Sequence, residues 1–316
     1  MSQKKIIVVF GATGAQGGGL VRAILNDSNS EFSVRAVTRD TNSDKSKELA
    51  AMSAEVVQAD LAHPEEVLKA MEGAYGAYCV TFFWAHFSPE QEAAEARCMA
   101  DAAKAAGLKH VIWSTLEDTR IHVPLHDDRM PTLQEKYKVP HFDSKGESNR
   151  FFTEAGVPTT FLLTCFYWEN LIYFGMGPKR GADGVLAITY PMADKKLSGI
   201  CAEDIGKCAY GIFKKGESLI GKTVGIAGEH ISCAEMANAL TKSLGEEVRY
   251  NSVTPEMYRG FGFPGAEDLG NMFQYYQEFE KEFSDARDIR IAKELNPSLQ
   301  SFEMWLAENG KRLPLD

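Results

Sequence analysis

The 316-residue chain has no apolar run approaching the roughly 20 residues that a membrane-crossing helix requires. It also lacks any basic cluster. Lysines and arginines total 34 against 44 aspartates and glutamates, a formal net charge of −10, and the densest basic groups are short, such as Lys45/Lys47 and Lys195/Lys196. That balance argues against a phosphate backbone as main partner, and direct nucleic-acid contact is not expected. The six cysteines, at positions 79, 98, 165, 201, 208 and 233, form no C-x-x-C and no Cys/His ligand pair. No metal site is expected; reduced, mostly core thiols of a cytoplasmic protein are. Met1 to Lys5 leads straight into a strand pattern without the apolar core of a signal peptide, which fits the same location. Low-complexity tracts, internal repeats and obvious linkers are absent as well.

What remains is an ordinary globular composition, 44% apolar and 25% charged, in a length that suits one large α/β domain with or without a smaller annex. The N-terminal half alternates β-branched runs with helical patterns. Ile6–Phe10 is a continuous apolar run, as in a central parallel strand buried on both faces. Further strands are expected at Ser33–Val37, Glu55–Ala59, Ala77–Thr81 and His110–Ser114, with helices from about Gly18 to Asn26 and Pro89 to Ala106. Strands alternating with helices imply βαβ units and a parallel sheet with right-handed crossovers. About 28 residues of weak periodicity follow Ser114, and a loop of that length usually covers a site. A helix at about Asp143–Ala155 and a strand at Thr159–Leu163 resume the rhythm. Beyond Cys165 the expected elements are a strand at Val185–Tyr190, helices at Ala202–Phe213, Cys233–Leu244, Pro255–Tyr258 and Leu299–Asn309, and a strand near Thr223–Ile226.

Gly11-Ala12-Thr13-Gly14-Ala15-Gln16-Gly17 is G-x-x-G-x-x-G placed directly after a strand and before a helix. Gly11 permits the tight turn, Gly14 lets a pyrophosphate approach the backbone, and Gly17 permits close helix–strand packing. Phosphates would meet the free N–H groups and positive end of the helix, with Thr13, Ala15 and Gln16 in the cradle. At the end of the second strand, where an NAD binder usually carries an acid for the ribose 2′-OH, the chain has Thr38-Arg39. A guanidinium there forks onto a 2′-phosphate, so NADP(H) is the expected cofactor, although Asp40 is adjacent. Asp60, followed by Leu61, ends strand three where it would cap the adenine, or would open the next helix. Thr81 and Phe82 follow strand four and would line the cofactor ribose.

The segments VVFGATGAQGG at 8–18, VTR at 37–39, VVQAD at 56–60, HFDSKGE at 141–147, FYWEN at 166–170 and FGFPGAEDLGNMF at 261–273 together resemble the NmrA-like family of atypical short-chain dehydrogenase/reductases. The likeness is greatest to members that bind NADP(H) and act as redox sensors; fungal members regulate transcription through protein partners. It covers nearly the whole chain and implies α/β architecture: an extended Rossmann fold with a central parallel sheet flanked by helices, plus a smaller C-terminal α/β domain. The corresponding boundaries are 1–165, completed by roughly 195–228, for the dinucleotide-binding domain, with 166–194 and 229–316 forming the smaller domain across a cleft.

Active short-chain dehydrogenases carry Tyr-x-x-x-Lys on the helix after strand five, the Tyr protonating substrate and the Lys holding the nicotinamide ribose. The matching place here reads His141-Phe142-Asp143-Ser144-Lys145, so the Lys is present and the Tyr is replaced. Lys145 is the foremost catalytic and cofactor-binding candidate. His141 is either a surrogate acid or a packing residue. Ser114 at the end of strand five is a candidate substrate-orienting hydroxyl, and Tyr167 a second proton donor or an aromatic wall. Cys165 is a candidate redox-sensitive thiol but more often such a cysteine is core. The literal Tyr210-x-x-x-Lys214 lies downstream in a helix whose apolar side needs Tyr210 for packing, and is read as a decoy. A complete dinucleotide site beside an incomplete catalytic pair favours a redox sensor that reads the NADPH/NADP⁺ state for a regulatory protein partner. The alternative is an NADPH-dependent reductase of small carbonyl or quinone substrates. A homodimer stays open.

Overall fold

Ile7, Val8 and Val9 are wholly buried, as their continuous apolar run requires of a strand covered on both faces. The structure, a computed structural model, describes residues 4–315. Its first half is β1 (Lys5–Val9), α1 (Ala15–Asn26), β2 (Phe32–Thr38), α2 (Asp44–Ala51), β3 (Glu55–Gln58), α3 (Pro64–Met71), β4 (Gly76–Cys79), α4 (Pro89–Ala105), β5 (His110–Thr115), α5 (Pro140–Glu154) and β6 (Thr159–Leu163). The second half runs β7 (Phe166–Tyr167), α6 (Asn170–Tyr173), β8 (Lys179–Arg180), β9 (Leu186–Tyr190), β10 (Lys196–Ile200), α7 (Ala202–Lys215), β11 (Thr223–Gly225), β12 (Glu229–Ser232), α8 (Cys233–Leu244), β13 (Val248–Ser252), α9 (Pro255–Arg259), α10 (Ala266–Glu278), α11 (Glu280–Asp285), α12 (Ile289–Leu295) and α13 (Phe302–Asn309).

Seven parallel strands form the main sheet in the order β11-β6-β5-β4-β1-β2-β3. The order reverses at β1, where β2 lies to one side and β4 to the other, and the carboxyl ends of the strands open a crevice there. Two three-stranded sheets complete the molecule, β12-β10-β7 and β13-β9-β8. Strand β10 belongs to the first of these, so the chain returns to the main sheet with α7 and β11 rather than from residue 195.

Helix α7 lies on α1 because both present glycine at the crossing. A Cβ on Gly206 would stand 2.1 Å from the Leu20 amide nitrogen, and one on Gly19 would stand 2.7 Å from the Glu203 carbonyl oxygen. Arg22 flanks the contact with a forked ion pair to Glu203, its Nε 3.0 Å from one carboxylate oxygen and 3.1 Å from the other.

Residues 116–139 form the expected long connection, and it is anchored. Asp143, in the first turn of α5, accepts the Thr119 amide (2.8 Å) and hydroxyl (2.6 Å) on one oxygen and the amides of Lys138 (2.7 Å) and Val139 (3.1 Å) on the other. From the opposite side α10 donates the Asn271 amide group to the carbonyls of Pro131 (2.9 Å) and Lys138 (2.5 Å), and the Gln274 amide to Arg129 (2.8 Å). Val123 and Met130 within it are fully buried. Among the described residues no helix is long and apolar enough to cross a membrane, and all six cysteines are free thiols.

Candidate functional site

The turn after β1 keeps its amides open. Gly11 sits at φ +62°, in the left-handed region that glycine enters without a Cβ clash, and the Gly14 amide closes the turn on its carbonyl at 2.9 Å. A Cβ on Gly17 would stand 2.4 Å from the Gly11 oxygen, so the last glycine of the motif is fixed by sterics. Helix α1 has no side-chain cap, and Gly11, Gly14 and Ala15 are exposed. Thr13 lies beside them half-buried, its carbonyl 3.4 Å from the Lys45 ammonium. An uncapped helix start with exposed glycines leaves free N–H groups and a positive dipole end, to which an anion is attracted.

Arg39 stands exposed past β2 with no hydrogen bond or ion pair among the described residues. Asp40 is engaged elsewhere, one carboxylate oxygen accepting the Asn42 amide at 2.8 Å and its carbonyl accepting the Ser43 and Ser46 hydroxyls. Asp60 likewise makes a local turn, accepting the Ala62 amide at 2.9 Å, while His63 rather than Asp60 takes the N-cap place of α3. Leu61 beside it is half-buried against the core.

Gln16 is the unexpected hub. Its carbonyl oxygen accepts the Ser114 hydroxyl at 2.8 Å and the Tyr78 hydroxyl, and its amide donates to the Tyr167 hydroxyl. One side chain from the first turn of α1 thus joins the ends of β4, β5 and β7. Ser114 is 2% exposed and spent on this contact. Burial pushes the Tyr167 phenol up to about 12. Cys165 next to it is buried, which pushes its thiol up to about 12 and makes it a core residue in this structure.

Lys145 lies on α5 with its ammonium already engaged. Its ammonium is 2.6 Å from the Glu92 carboxylate, 2.5 Å from the Thr81 hydroxyl and 3.3 Å from the Thr81 carbonyl, and 5.4 Å from the Trp113 ring. Glu92, wholly buried on α4, is the residue that sequence reasoning missed. Burial pushes its carboxyl up, but the Lys145 charge, the Thr81 hydroxyl that donates to it and the His86 ring 3.6 Å away outweigh that and hold it down to about 2. His86, Glu92 and Glu95 bring ligand atoms within 4.8 Å of one another. The Lys145 ammonium already supplies the positive charge there, and the His86 Nδ1 accepts the Ser88 amide at 3.0 Å, which leaves Nε2 to carry the ring proton. The cluster suits an ammonium better than a metal ion. Phe82, after β4, is 57% exposed.

His141, one helical turn before Lys145, is buried and bonded to a second unforeseen acid. Its Nδ1 is 2.6 Å from Asp268 of α10, and its amide donates to the other Asp268 oxygen at 3.2 Å. The ring packs at 4.7 Å on Trp84. Its Nε2 has no protein partner and is not sealed from solvent. The downstream Tyr210 is 6% exposed, packs on Phe32 and donates to Asp27 at 2.8 Å, a purely structural setting.

The NmrA-like family matches residues 3–306. The chain belongs to the NmrA-like family. Its relatives include the NmrA-like family domain-containing oxidoreductase FrzB of Cladobotryum sp, 30% identical over 86% of this chain and 84% of that protein. A Dictyostelium discoideum NmrA-like family domain-containing protein is 27% identical over 99% of this chain and 100% of its own length. Among solved structures, NmrA, a negative transcriptional regulator, superposes in its NADP complex with a TM-score of 0.78 at 25% identity, covering 97% of this chain and 95% of that one. The same regulator in complex with NAD gives 0.79 at the same identity and coverage. The Citrobacter sp. triphenylmethane reductase complexed with NADP(H) shares the fold, with a TM-score of 0.75 at 18% identity. The NmrA-like chain therefore has regulators and oxidoreductases alike among its kin.

Proposed function

We propose that this NmrA-like chain binds NADP(H) and reports the NADPH/NADP⁺ state to a regulatory partner. The observation that carries the reading is the pairing of an open phosphate cradle with a preoccupied lysine. The cradle has an uncapped helix start at exposed Gly14 and Ala15, and Arg39 stands exposed without a hydrogen bond or ion pair among the described residues. Lys145 is already engaged, hydrogen-bonded to Thr81 and ion-paired with Glu92. The pyrophosphate would sit on the α1 amides and the 2′-phosphate on Arg39, with Lys45 near by. The adenine would lie by Asp60 and Leu61, and the nicotinamide ribose by Thr81, Phe82 and Lys145. NmrA, at 25% identity, is known with both NADP and NAD, so a nicotinamide dinucleotide is the common ground and Arg39 the reason to favour the phosphorylated form.

A cofactor ribose reaching Lys145 must take over one of the Thr81 contacts, since breaking the buried Glu92 pair would cost far more. Lys145 shares α5 with His141 and Asp143, and those two hold α10 and the 116–139 loop. A change at Lys145 thus has a short route to a surface loop. A sensor responds only by its differential affinity for the two cofactor forms. Hydrogen exchange of residues 116–139 with NADP⁺, with NADPH and with neither is the test: protection that differs between the two forms supports the reading, and identical protection sinks it.

A second reading rests on His141. The Asp268 carboxylate orders the ring with Nδ1–H toward it and leaves Nε2 accessible, the arrangement of a proton carrier. With hydride supplied by bound NADPH, His141 in place of the Tyr would protonate a carbonyl or quinone oxygen, with Lys145 and Glu92 fixing the local charge. NADPH consumption across a panel of quinones, aldehydes and enones, abolished in His141→Phe, would make the chain a reductase.

A further inference from the structure

Glu92 has two sides. One carboxylate oxygen carries the Lys145 ammonium at 2.6 Å and the Thr81 hydroxyl at 2.5 Å. The other faces His86 Nε2 at 3.6 Å, and both of those atoms are buried without a hydrogen-bond partner among the described residues. Glu95, also on α4, stands 3.9 Å from the same nitrogen and accepts the Gln91 amide group at 3.0 Å. Two carboxylates therefore face one ammonium, and a neutral His86 leaves the cluster one positive charge short.

A local clip sets the ring. Its Nδ1 accepts the Ser88 amide at 3.0 Å, so the neutral imidazole carries its proton on Nε2. Phe87, between the two residues, is bent to φ +56°, a left-handed backbone that a bulky aromatic side chain rarely adopts. Ser88 in turn caps α4, its hydroxyl accepting the Gln91 backbone amide at 3.2 Å. A second proton on the imidazole must go to Nδ1, where the Ser88 amide already points a hydrogen. Neutral and charged rings thus require different arrangements of residues 86–88.

The charged groups facing His86 are Glu92 and Glu95 from α4 and Lys145 from α5. Other charges close by are paired among themselves, Lys136 with Glu90 at 3.2 Å and Asp268 with His141 at 2.6 Å. Glu92 above all, with Glu95, draws a proton onto the ring against burial and the Lys145 charge, and holds His86 above its ordinary 6.5.

We propose that His86 is a proton-operated latch on Lys145. On protonation the ring leaves the Ser88 amide and closes on the free Glu92 oxygen. Glu92, then shared between two cations, holds Lys145 less tightly, which eases the turn of the ammonium toward the cofactor ribose. NADP(H) therefore binds more tightly as the pH falls from about 8 to about 6. The latch stands on the cluster alone; its effect on binding rests on the NADP(H) reading above.

The test takes the two parts in turn. Nitrogen–proton NMR of the histidine rings, recorded on the full chain without cofactor, follows His86 directly, with His86→Asn to assign its signals. Expected are a proton on Nε2 at pH 8, a midpoint above 6.5, and a Ser88 amide signal that moves with that midpoint. Glu95→Gln, which leaves the Glu92–Lys145 pair intact, should lower the midpoint. A midpoint at or below 6.5, or a Ser88 amide that does not follow the ring, overturns the latch. NADP⁺ affinity is then measured calorimetrically at pH 8 and pH 6 in the parent and in His86→Asn, whose side-chain oxygen still accepts the Ser88 amide but takes no proton. The 2′-phosphate titrates alike in both, so the parent should gain about threefold or more over the variant between the two pH values, and bound NADP⁺ should raise the His86 midpoint in return. Equal pH dependence in the two proteins overturns the coupling to Lys145. No NADP⁺ binding at either pH would overturn the dinucleotide reading and the coupling with it, while the cofactor-free titration still decides the latch.

Discussion

Replacing Glu92 by glutamine should destabilise the protein far more than an acid in an alanine-rich helix normally would. Glu92 is wholly buried, and its contacts with Lys145, His86 and Thr81 hold its carboxyl at about 2 against an ordinary 4.5. A difference of about 2.5 pH units corresponds to roughly 3 kcal/mol of folding free energy at neutral pH, at about 1.4 kcal/mol per unit. The glutamine keeps the shape and loses the charge, leaving an ammonium buried beside Thr81. A melting temperature lower by about 4–5 °C follows for a chain of this size.

The pH dependence carries the sharper test. A carboxylate whose folded pKa is depressed contributes stability that is fully present above its unfolded value and fades as pH falls toward the folded one. By pH 3.5 the parent should have lost on the order of 1 kcal/mol that the glutamine variant never had. Urea denaturation of both proteins at pH 7, 5, 4 and 3.5 reads the gap directly. A gap near zero at pH 7, or one that stays constant to pH 3.5, refutes the role given to the pair. The same reasoning warns about Lys145→Ala, which strands a buried carboxylate at a cost of about 3–5 kcal/mol. Lys145→Met with Glu92→Leu should recover much of that loss, so any missing NADPH effect in the double variant can be attributed to the lysine rather than to unfolding.

Arg39→Ala should weaken NADPH binding at least tenfold, the worth of about 1.5–3 kcal/mol for a charged hydrogen bond, and leave NADH unchanged; equal losses for both, in a fluorescence titration, would remove the 2′-phosphate contact. Gly206→Ala would place a methyl 2.1 Å from the Leu20 nitrogen and should cost about 1–3 kcal/mol in denaturant unfolding as α1 and α7 separate; an unchanged midpoint would mean that the crossing is looser than it looks. Asn271→Ala leaves two loop carbonyls without their donor. Limited proteolysis should then cut within 116–139 about tenfold faster, at roughly 1–3 kcal/mol for each buried group left unpaired, and a cleavage pattern equal to the parent's would show that α10 does not hold the loop.

The main sheet was legible because its strands advertise themselves. Ile6–Phe10 and His110–Ser114 are apolar runs that only a doubly covered strand explains, and each lies within a residue of the observed element. Helix starts were less so. Helix α1 begins at Ala15 rather than Gly18 because its first turn is glycine-rich and uncapped, which is the price of an open anion site. Helix α5 begins at Pro140 rather than Asp143, with proline at the first turn where its missing N–H does no harm. The short strands β10, β12 and β13 pair across the smaller sheets, and no run of their own marks them. Gly11, Gly14 and Gly17 were readable from spacing, since turn sterics dictate them. Glu92 was not: it sits 53 positions before Lys145 among Glu90 and Glu95, and only the fold shows which of the three turns inward.

Helix α10 explains the hardest part of the site to foresee. Its periodicity is hidden because Asp268, Asn271 and Gln274, all polar, are buried with Leu269, Met272 and Phe273. Each polar side chain serves another segment: Asp268 holds His141, Asn271 holds Pro131 and Lys138, and Gln274 holds Arg129. A buried polar group is tolerable only when fully bonded, so these three tie the long loop, the start of α5 and the C-terminal helices into one unit. His141 without Asp268 would be one more buried ring with an unsatisfied nitrogen. With it, the residue that replaces the usual tyrosine is held in one tautomer, one turn from Lys145. Asp268→Asn therefore separates the two readings of the chain. It should change the affinity or turnover of any ligand that uses His141, while a protein that reads the cofactor through Lys145 alone would keep its NADPH-dependent loop protection intact.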